Sequence, residues 1–364
     1  MMAENLEATS LCAPFPAYVD ERLRQSSIRH IIGFNLLYGD LSYPLEYQSN
    51  CSLTFDENWA PYAQFQGNFR MPDKTTAGFL DPRLDPLIEI IGGYEMEAGD
   101  KQAYPLARLH LRSVVWNAPA MNLDITAASS ETDLQDFVWY LQTPAPVPTG
   151  TVKDALDWCL DTAGNKEPLE YTETGPTVTL PDQGVQQGQN IWDLARDFAA
   201  GGQMWFYHDG LGTWHMTPRP VPESTPKTIL QTGRQGTVIS YQIGQSREDY
   251  ADGVIVTHEW GSQQKIVGKA SVSSPKRWTV VPRRTAATQD QADKEAETLL
   301  GRFQDLRRSF EITAKSAYWL RPGDYVTLRI PGVNTACRVS RVQYSFPAGR
   351  MSVRLIDPAR EVTQ

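Results

Sequence analysis

Leu320-Arg321-Pro322-Gly323-Asp324-Tyr325-Val326-Thr327-Leu328-Arg329-Ile330 sets the reading of the whole chain. Proline followed by glycine at the centre of a four-residue turn predicts type II geometry. Proline presets the first φ, and glycine accepts the positive φ of the second position. Beyond the turn, Val326, Leu328 and Ile330 alternate with Tyr325, Thr327 and Arg329, the period of a strand with one apolar face. The same alternation appears downstream at Met351, Val353 and Leu355, and upstream at Phe310, Ile312 and Ala314. Further upstream, Thr288 and Gln291 have the spacing of a capping box. Ala292, Ala296, Leu299, Phe303 and Leu306 follow at helical spacing. Residues 288–356 thus read as a capped helix, a strand, a turn and three more strands. The helix is expected to lie across the strand meander, closing a small barrel-like module. No catalytic motif falls inside it.

The first third is also strand-rich. Short apolar runs span Ile28–Tyr38, Leu41–Tyr47, Cys51–Phe55, Gln64–Arg70, Leu87–Met96, Arg108–Trp116 and Met121–Ala127. Gly39-Asp40, Gly92-Gly93 and Asn117-Ala118-Pro119 are among their separators. Strands at this spacing predict a barrel or sandwich. Residues 1–27 read as a polar arm.

The middle is α+β. Ser130 and Asp133 form a capping-box-like pair ahead of Leu134, Phe137, Val138 and Leu141. The prolines of residues 143–150 then make a stiff linker. Thr151 opens a helix with Val152, Ala155, Leu156, Cys159 and Leu160 on one face and Gly164 at its end. Asn190 opens another, carrying Ile191, Leu194, Ala195 and Phe198. Met204–His208 and Thr213–Met216 then flank Asp209-Gly-Leu-Gly212 as a hairpin, with His208 opposite Thr213. The expected architecture is α+β and mainly β. An arm over 1–27, a first barrel over 28–129, an α+β unit over 130–227 and a second barrel over 228–364 with helix 288–307 follow in order.

Composition narrows the function. The 364 residues are 41% hydrophobic and 21% charged, which fits a folded chain. Cys12, Cys51, Cys159 and Cys337 are scattered without ligand spacing, so buried reduced thiols are expected rather than a disulfide framework or a zinc site. Glu4 and Glu7 with no apolar core argue against a secretory signal, and no window is apolar enough to span a membrane. Net charge is −9, divided unevenly: −7 over residues 1–125, −10 over 126–223 and +8 over 224–364. Opposite signs at the two ends fit contacts between neighbouring copies or with an acidic partner. Lys276-Arg277, Arg283-Arg284 and Arg307-Arg308 lack a nucleic-acid motif.

Catalytic groupings are weak. Of the histidines (His30, His110, His208, His215 and His258), only His208 and His215 are close in sequence. Two imidazoles with no third ligand make an incomplete metal site. Asp154, Asp157 and Asp161 share a solvated helix face, and Glu248-Asp249 and Asp252 fit a turn. Neither set is placed across a cleft, as a glycosidase needs. Nucleophile-elbow and phosphate-loop motifs are absent. No catalytic, cofactor-binding or metal residue is nominated. Ten tryptophans and fifteen tyrosines leave a carbohydrate-binding or cell-wall-hydrolysing protein as the alternative, although such aromatics usually fill cores and subunit contacts.

Four segments resemble the baseplate hub and minor tail proteins of tailed bacteriophages, especially those infecting actinobacteria. They are Leu53-Thr-Phe-Asp-Glu-Asn-Trp-Ala-Pro-Tyr62 with Leu80-Asp-Pro-Arg83, Met121–Tyr140, Asn190–Pro218 and Leu320–Ile356. Their order follows the family's barrel, α+β insert and second barrel. The resemblance implies a non-enzymatic virion protein at the tail tip or baseplate, assembled in the host cytoplasm. It implies a homotrimer whose two tube-related barrels per chain match the hexameric tail tube above and trimeric tip parts below. Its partners would be the tail tube or distal tail protein and other tip proteins. DNA would pass without specific binding during genome ejection, and this chain would insert in no membrane. The chain stops after the second barrel, so the receptor-binding or lysozyme extension of some relatives is not expected here.

Overall fold

The computed structural model describes residues 20, 23–24, 28–95, 101–143, 150–178, 185, 187–218, 225–234, 236–245, 250–260, 264–283, 287–305 and 308–357. Strands make up 50% and helices 19%, so the fold is α+β and mainly β. No described helix is long and apolar enough to cross a membrane.

Every apolar run expected in the first third is a strand: β1 (Arg29–Tyr38), β2 (Leu41–Pro44), β3 (Cys51–Asp56), β4 (Ala63–Arg70), β5 (Leu87–Glu95), β6 (Lys101–Asn117) and β7 (Asn122–Ala128). Helix α1 (Lys74–Phe79) follows β4 and is capped by the Asp73 carboxylate. The strands lie in the order β3-β4-β7-β6-β5-β1-β2. The sheet then returns to its own start. Leu45 N donates to Phe34 O at 2.8 Å, and Arg70 N donates to Glu46 O at 2.8 Å. The chain leaving β2 therefore bridges β1 to β4 and closes the ring of strands.

The middle holds α2 (Glu131–Asp136), β8 (Gly150–Thr151), α3 (Val152–Ala163), β9 (Leu169–Tyr171), β10 (Thr177–Val178), α4 (Ile191–Gly201), β11 (Met204–His208) and β12 (Trp214–Pro218). Thr151 and Asp154 complete a reciprocal capping box on α3, and Gly164 ends it in the left-handed region. Asn190 caps α4 as expected. Helix α2 departs from expectation. It stops at Asp136, and Ser130 makes no side-chain cap. Val138 and Leu141, expected on its apolar face, are exposed. The Ser130 hydroxyl is drawn to two histidines instead, which removes the cap. Leu156, Cys159, Ile191, Phe198, Trp214 and Met216 form a separate core for this region.

The last third contributes β13 (Thr228–Gln231), β14 (Val238–Gly244), β15 (Gly253–Trp260), β16 (Gln264–Ser271), β17 (Trp278–Arg283), α5 (Gln289–Asp305), β18 (Ser309–Lys315), β19 (Tyr325–Ile330), β20 (Val333–Phe346) and β21 (Arg350–Ile356). The Thr288–Gln291 capping box is present. Its helix, however, does not lie across the meander. Helix α5 packs on β15 and β16. Ala296 and Leu299 meet Val254 and Val256 in a small third core. These strands form a sheet of their own, ordered β16-β15-β17. The helix follows the nearest apolar sheet face in the chain, and the face of β18–β21 is already covered by the first third.

The two strand-rich thirds are one sheet of thirteen strands. The join is β3 against β20, antiparallel from Arg341↔Asp56 to Phe346↔Cys51. One core runs beneath it, from Phe34, Leu53 and Phe69 through to Val342, Val353 and Leu355. Leu23 is buried in that core; the rest of the expected arm, apart from Asp20 and Arg24, lies outside the described residues. Cys51, Cys159 and Cys337 are buried free thiols, and Cys12 falls outside the described residues. Burial pushes the Cys51 thiol up to about 11.

The opening turn locks the join. Gly323 has φ of 92°, and Arg321 N donates to Asp324 Oδ2 at 2.8 Å. The Arg321 guanidinium donates to the carbonyls of Tyr318, Leu320 and, across in β6, Leu106. It also lies 4.2 Å from the Phe55 ring centroid. Tyr94 of β5 donates to Ser316 O and accepts from Tyr318 N. The turn is thus held by three strands of the first third. Lysine cannot reproduce the planar fork. Arg321→Lys is expected to cost about 1.5–3 kcal/mol, measured by urea unfolding of the core that the first and last thirds share.

Candidate assembly interface

Side chains alternate across a sheet, so the thirteen-stranded sheet has a second face opposite the core. Its registers line up one row on six successive strands: Ser240, Thr313, Ser352, Gln343, Thr54 and Gln64. All six are polar and uncharged. The row crosses the β20–β3 join without interruption. A neighbouring row reads Gln242, Glu311, Arg354, Arg341 and Asp56, in which two acids offset two bases. A third reads Lys315, Arg350, Ser345, Ser52, Gln66, Thr126 and Ser113. Among the described residues no helix lies across these strands. The loop between β3 and β4 partly shields one end. Arg341 stacks 4.9 Å from the Trp59 ring centroid, and Glu57 forms a buried ion pair with Arg338. Sequence reasoning did not find this face. Its signal was present at one alternate position per strand, where Ser, Thr and Gln form an uncharged row between two rows that carry charges.

The insert is joined to this sheet by a buried polar cluster. Glu131 of α2 is fully buried, and its Oε1 accepts from His208 N of β11 at 2.9 Å and Tyr62 N at 3.3 Å. His208 Nε2 lies 3.2 Å from Glu167 Oε2. Its Nδ1 accepts from Gly210 N at 3.1 Å. Ser130 Oγ stands between His208 and His110, which in turn meets Asp85 at 2.7 Å. Burial raises the Glu131 carboxyl above the ordinary range, offset only in part by His208. Burial also pushes Glu167 up, but hydrogen bonds from His208, Ser130 and Asn165 outweigh it and hold it down at about 2. Asn165 links onward, donating to Asp133 and accepting from Trp214 Nε1.

The sequence-derived chemical candidates separate. His208 pairs with Trp214, and His215 with Tyr207, one residue out of the expected register. Strand β11 ends at His208 and β12 starts at Trp214, leaving five residues between them rather than four, with Asp209 N bonding Thr213 O and Gly210 and Gly212 at positive φ. A slip of one residue reverses the face. His208 is therefore buried, while His215 lies on the other side, 3.4 Å from Asp209. Asp154 caps α3, Asp157 pairs with Lys153, and Asp161 pairs with Lys166. Asp252 accepts from Lys276 N and Arg277 N in a turn. Glu248-Asp249 lies outside the described residues. No group of three or more potential metal ligands occurs among the described residues. Trp192, Trp205 and Trp214 are buried, whereas the exposed Trp59, Trp116 and Trp278 stand on three separate elements.

The chain shares its mainly β fold with phage tail proteins. The tail protein of Neisseria meningitidis MC58 superposes with a TM-score of 0.67 at 15% identity, covering 90% of this chain and 96% of that one. The tail protein of prophage MuSo2 from Shewanella oneidensis gives 0.64 at 13% identity, covering 90% and 98%. A type VI secretion component of Escherichia coli, itself described as similar to the phage T4 tail proteins gp27 and gp5, gives 0.52 at 10% identity, covering 90% and 77%. No family model matches the sequence, and no curated protein matches it.

The two glutamates make opposite contributions with pH. A raised pKa favours the folded state in acid, and that stability is lost as pH rises through the raised value. A lowered pKa favours the folded state above the ordinary glutamate range, and that stability is lost as pH falls toward about 2. Glu167→Gln is expected to lose about 1–3 kcal/mol at pH 7, with the gap to the parent closing in acid. For Glu131→Gln, the melting temperature relative to the parent is expected to rise with pH. Thermal melts from pH 3 to pH 8 (a range of about 5 units around the ordinary value) check both.

Proposed function

We propose that the chain is a structural, non-enzymatic component of a phage tail tip. It acts as a hub that adapts the hexameric tail tube to a trimeric tip and opens the channel for genome ejection. Its working units are the two barrel regions, 28–129 and 228–364, held around the α+β unit 130–227. Three copies would present six barrels to the tube. The observation that carries this reading is the continuous polar face through the β3–β20 join. Strands from both thirds offer one surface whose central row, from Ser240 to Gln64, has no charge. A wall of this kind suits DNA in transit. Phosphate contacts by Lys or Arg would release counterions and bind the duplex, whereas hydroxyl and amide groups leave it free to slide. We assign this face to the channel; the likeness to phage and type VI secretion tail components supports the reading of the chain as a tail component.

Closure of three copies needs heterologous contacts. The net charges of −7 and −10 over the first two thirds against +8 over the last favour such a contact between copies. Two outcomes are expected. Cryo-electron microscopy of tails should locate the chain at the tip as a three-fold ring, and absence from the tail would sink the proposal. Replacing Gln343 and Ser240 by arginine should leave folding intact but slow DNA release, read as a delay in ejection triggered in vitro. Unchanged release would remove this face from the channel.

A further inference from the structure

The polar cluster that joins the insert to the first third runs from solvent to core. Asp85, just before β5, is its outer end, with a side chain 68% exposed. Asp85 Oδ1 lies 2.7 Å from Nδ1 of His110 on β6, and His110 Nε2 lies 3.1 Å from Ser130 Oγ, ahead of α2. Beyond that fully buried hydroxyl, His208 of β11 places Nε2 3.4 Å from Ser130 Oγ and 3.2 Å from Glu167 Oε2. His208 Nδ1 already accepts from Gly210 N, so its ring has the Nε2 proton to give toward Glu167. Ser130 Oγ thus stands among His110, His208 and Glu167, and it donates to Glu167.

A hydroxyl has a single proton to donate. When His110 is protonated on both nitrogens, Nδ1–H bonds Asp85 and Nε2–H donates to Ser130 Oγ, which leaves the Ser130 proton for Glu167. When His110 has lost a proton, Asp85 keeps Nδ1–H and the bare Nε2 becomes an acceptor for the Ser130 proton. Glu167 then loses a donor, and Glu167 is the carboxylate that meets His208. We propose that the Ser130 hydroxyl is a two-position switch thrown by His110. Turned to Glu167, it latches the insert to the first third; turned to His110, it releases the latch.

The surrounding charges act in the same direction. Asp85 before β5, Asp133 of α2 and Glu167 before β9 face His110, and Glu131 of α2 lies deeper, against His208. The fixed cation nearby is Arg112 of β6, which is paired with Asp136 at 2.7 Å. Asp209 of the hairpin turn meets His215 instead. Burial lowers the His110 value, but the Asp85 hydrogen bond and the charges of Asp133, Asp85 and Glu167 outweigh it and raise it above the ordinary histidine range. A raised value favours the closed junction in acid, and that contribution is lost as pH rises through it. Glu131 and Asp133, both raised by burial, carry the same sign. The Glu167 contribution fades only as pH falls toward about 2. Release leaves both sides folded, because the insert keeps its own core around Leu156, Phe198 and Met216. Tyr62 against Trp205 and Tyr207, with ring centroids 5.9 and 4.7 Å apart, and the bond from Arg108 N to Gly210 O remain as the hinge. The device belongs to this chain alone and stands whether or not the chain is a hub.

The test uses the full chain between about pH 5 and about pH 9. Histidine C2–H exchange, read by mass spectrometry, follows the titration of His110. Backbone amide exchange, corrected for the intrinsic effect of pH, follows the His208, Gly210 and Tyr62 amides, whose acceptors belong to the cluster. Protection of these amides is expected to fall as pH rises, with the midpoint of the His110 titration. The fall should be about tenfold for each pK unit that closure adds to His110. His110→Gln and Ser130→Ala should each remove most of it, while His215→Gln, on the opposite face of the hairpin, should leave it as in the parent. Circular dichroism of each variant confirms that the fold is kept. Should both variants fail to fold, agreement of the two midpoints in the parent decides alone. Protection indifferent to pH, a midpoint that does not track His110, or an unchanged fall in either folded variant overturns the proposal.

Discussion

The backbone ladder between β3 and β20 is the constraint on which everything else depends. It pairs Leu53 with Tyr344 and Phe55 with Val342, so two strand-rich thirds become one sheet over one core. Each backbone bond contributes little by itself once the loss of water is counted. Their effect comes from position. The polar side of the join keeps the rows of Ser, Thr and Gln in step, and the apolar side places Phe55 under the Arg321 guanidinium. If the join slipped by one residue, both faces would be exchanged at once.

The insert depends on a different kind of bond. Glu131 satisfies backbone N–H groups from two regions, Tyr62 of the first third and His208 of the insert hairpin. A buried carboxylate is costly to maintain, and here it fixes the orientation of the hairpin. Glu167 meets His208 nearby, Oε2 to Nε2 at 3.2 Å. A second junction, among His258, Glu295 and Arg283, ties β15 and β17 to α5, and Arg283 also approaches Asp197 of α4. Both junctions use charge at places where the three separate cores meet.

Local patterns were legible in the sequence and long-range placement was not. The seven runs of the first third, the Thr151, Asn190 and Thr288 caps and the Pro322-Gly323 turn each rest on neighbouring residues, and each is found. Three readings departed for identifiable reasons. The Ser130 cap was lost because His110 and His208 compete for its hydroxyl, and those partners come from distant strands. The hairpin register moved because Thr213, expected opposite His208, belongs to the connection instead. Helix α5 kept its cap and apolar stripe but packed on β15 and β16, since the periodicity of one helix does not specify which sheet receives it. The polar face was missed for a similar reason. Six residues on six strands become a row only when the registers are known.

The join between β3 and β20 also bears on how the chain is made. Its partners are separated by almost the whole length of the described fold. During synthesis β3 emerges early, and its partner edge stays vacant until nearly every other strand has left the ribosome. Long-range pairing of this kind is slow to form, and vacant edges invite pairing with the wrong chain. The first third can close its own ring through Leu45 and Arg70, leaving only the β3 edge waiting. Order of synthesis then becomes order of assembly: a closed ring with one open edge, which the last strands seal.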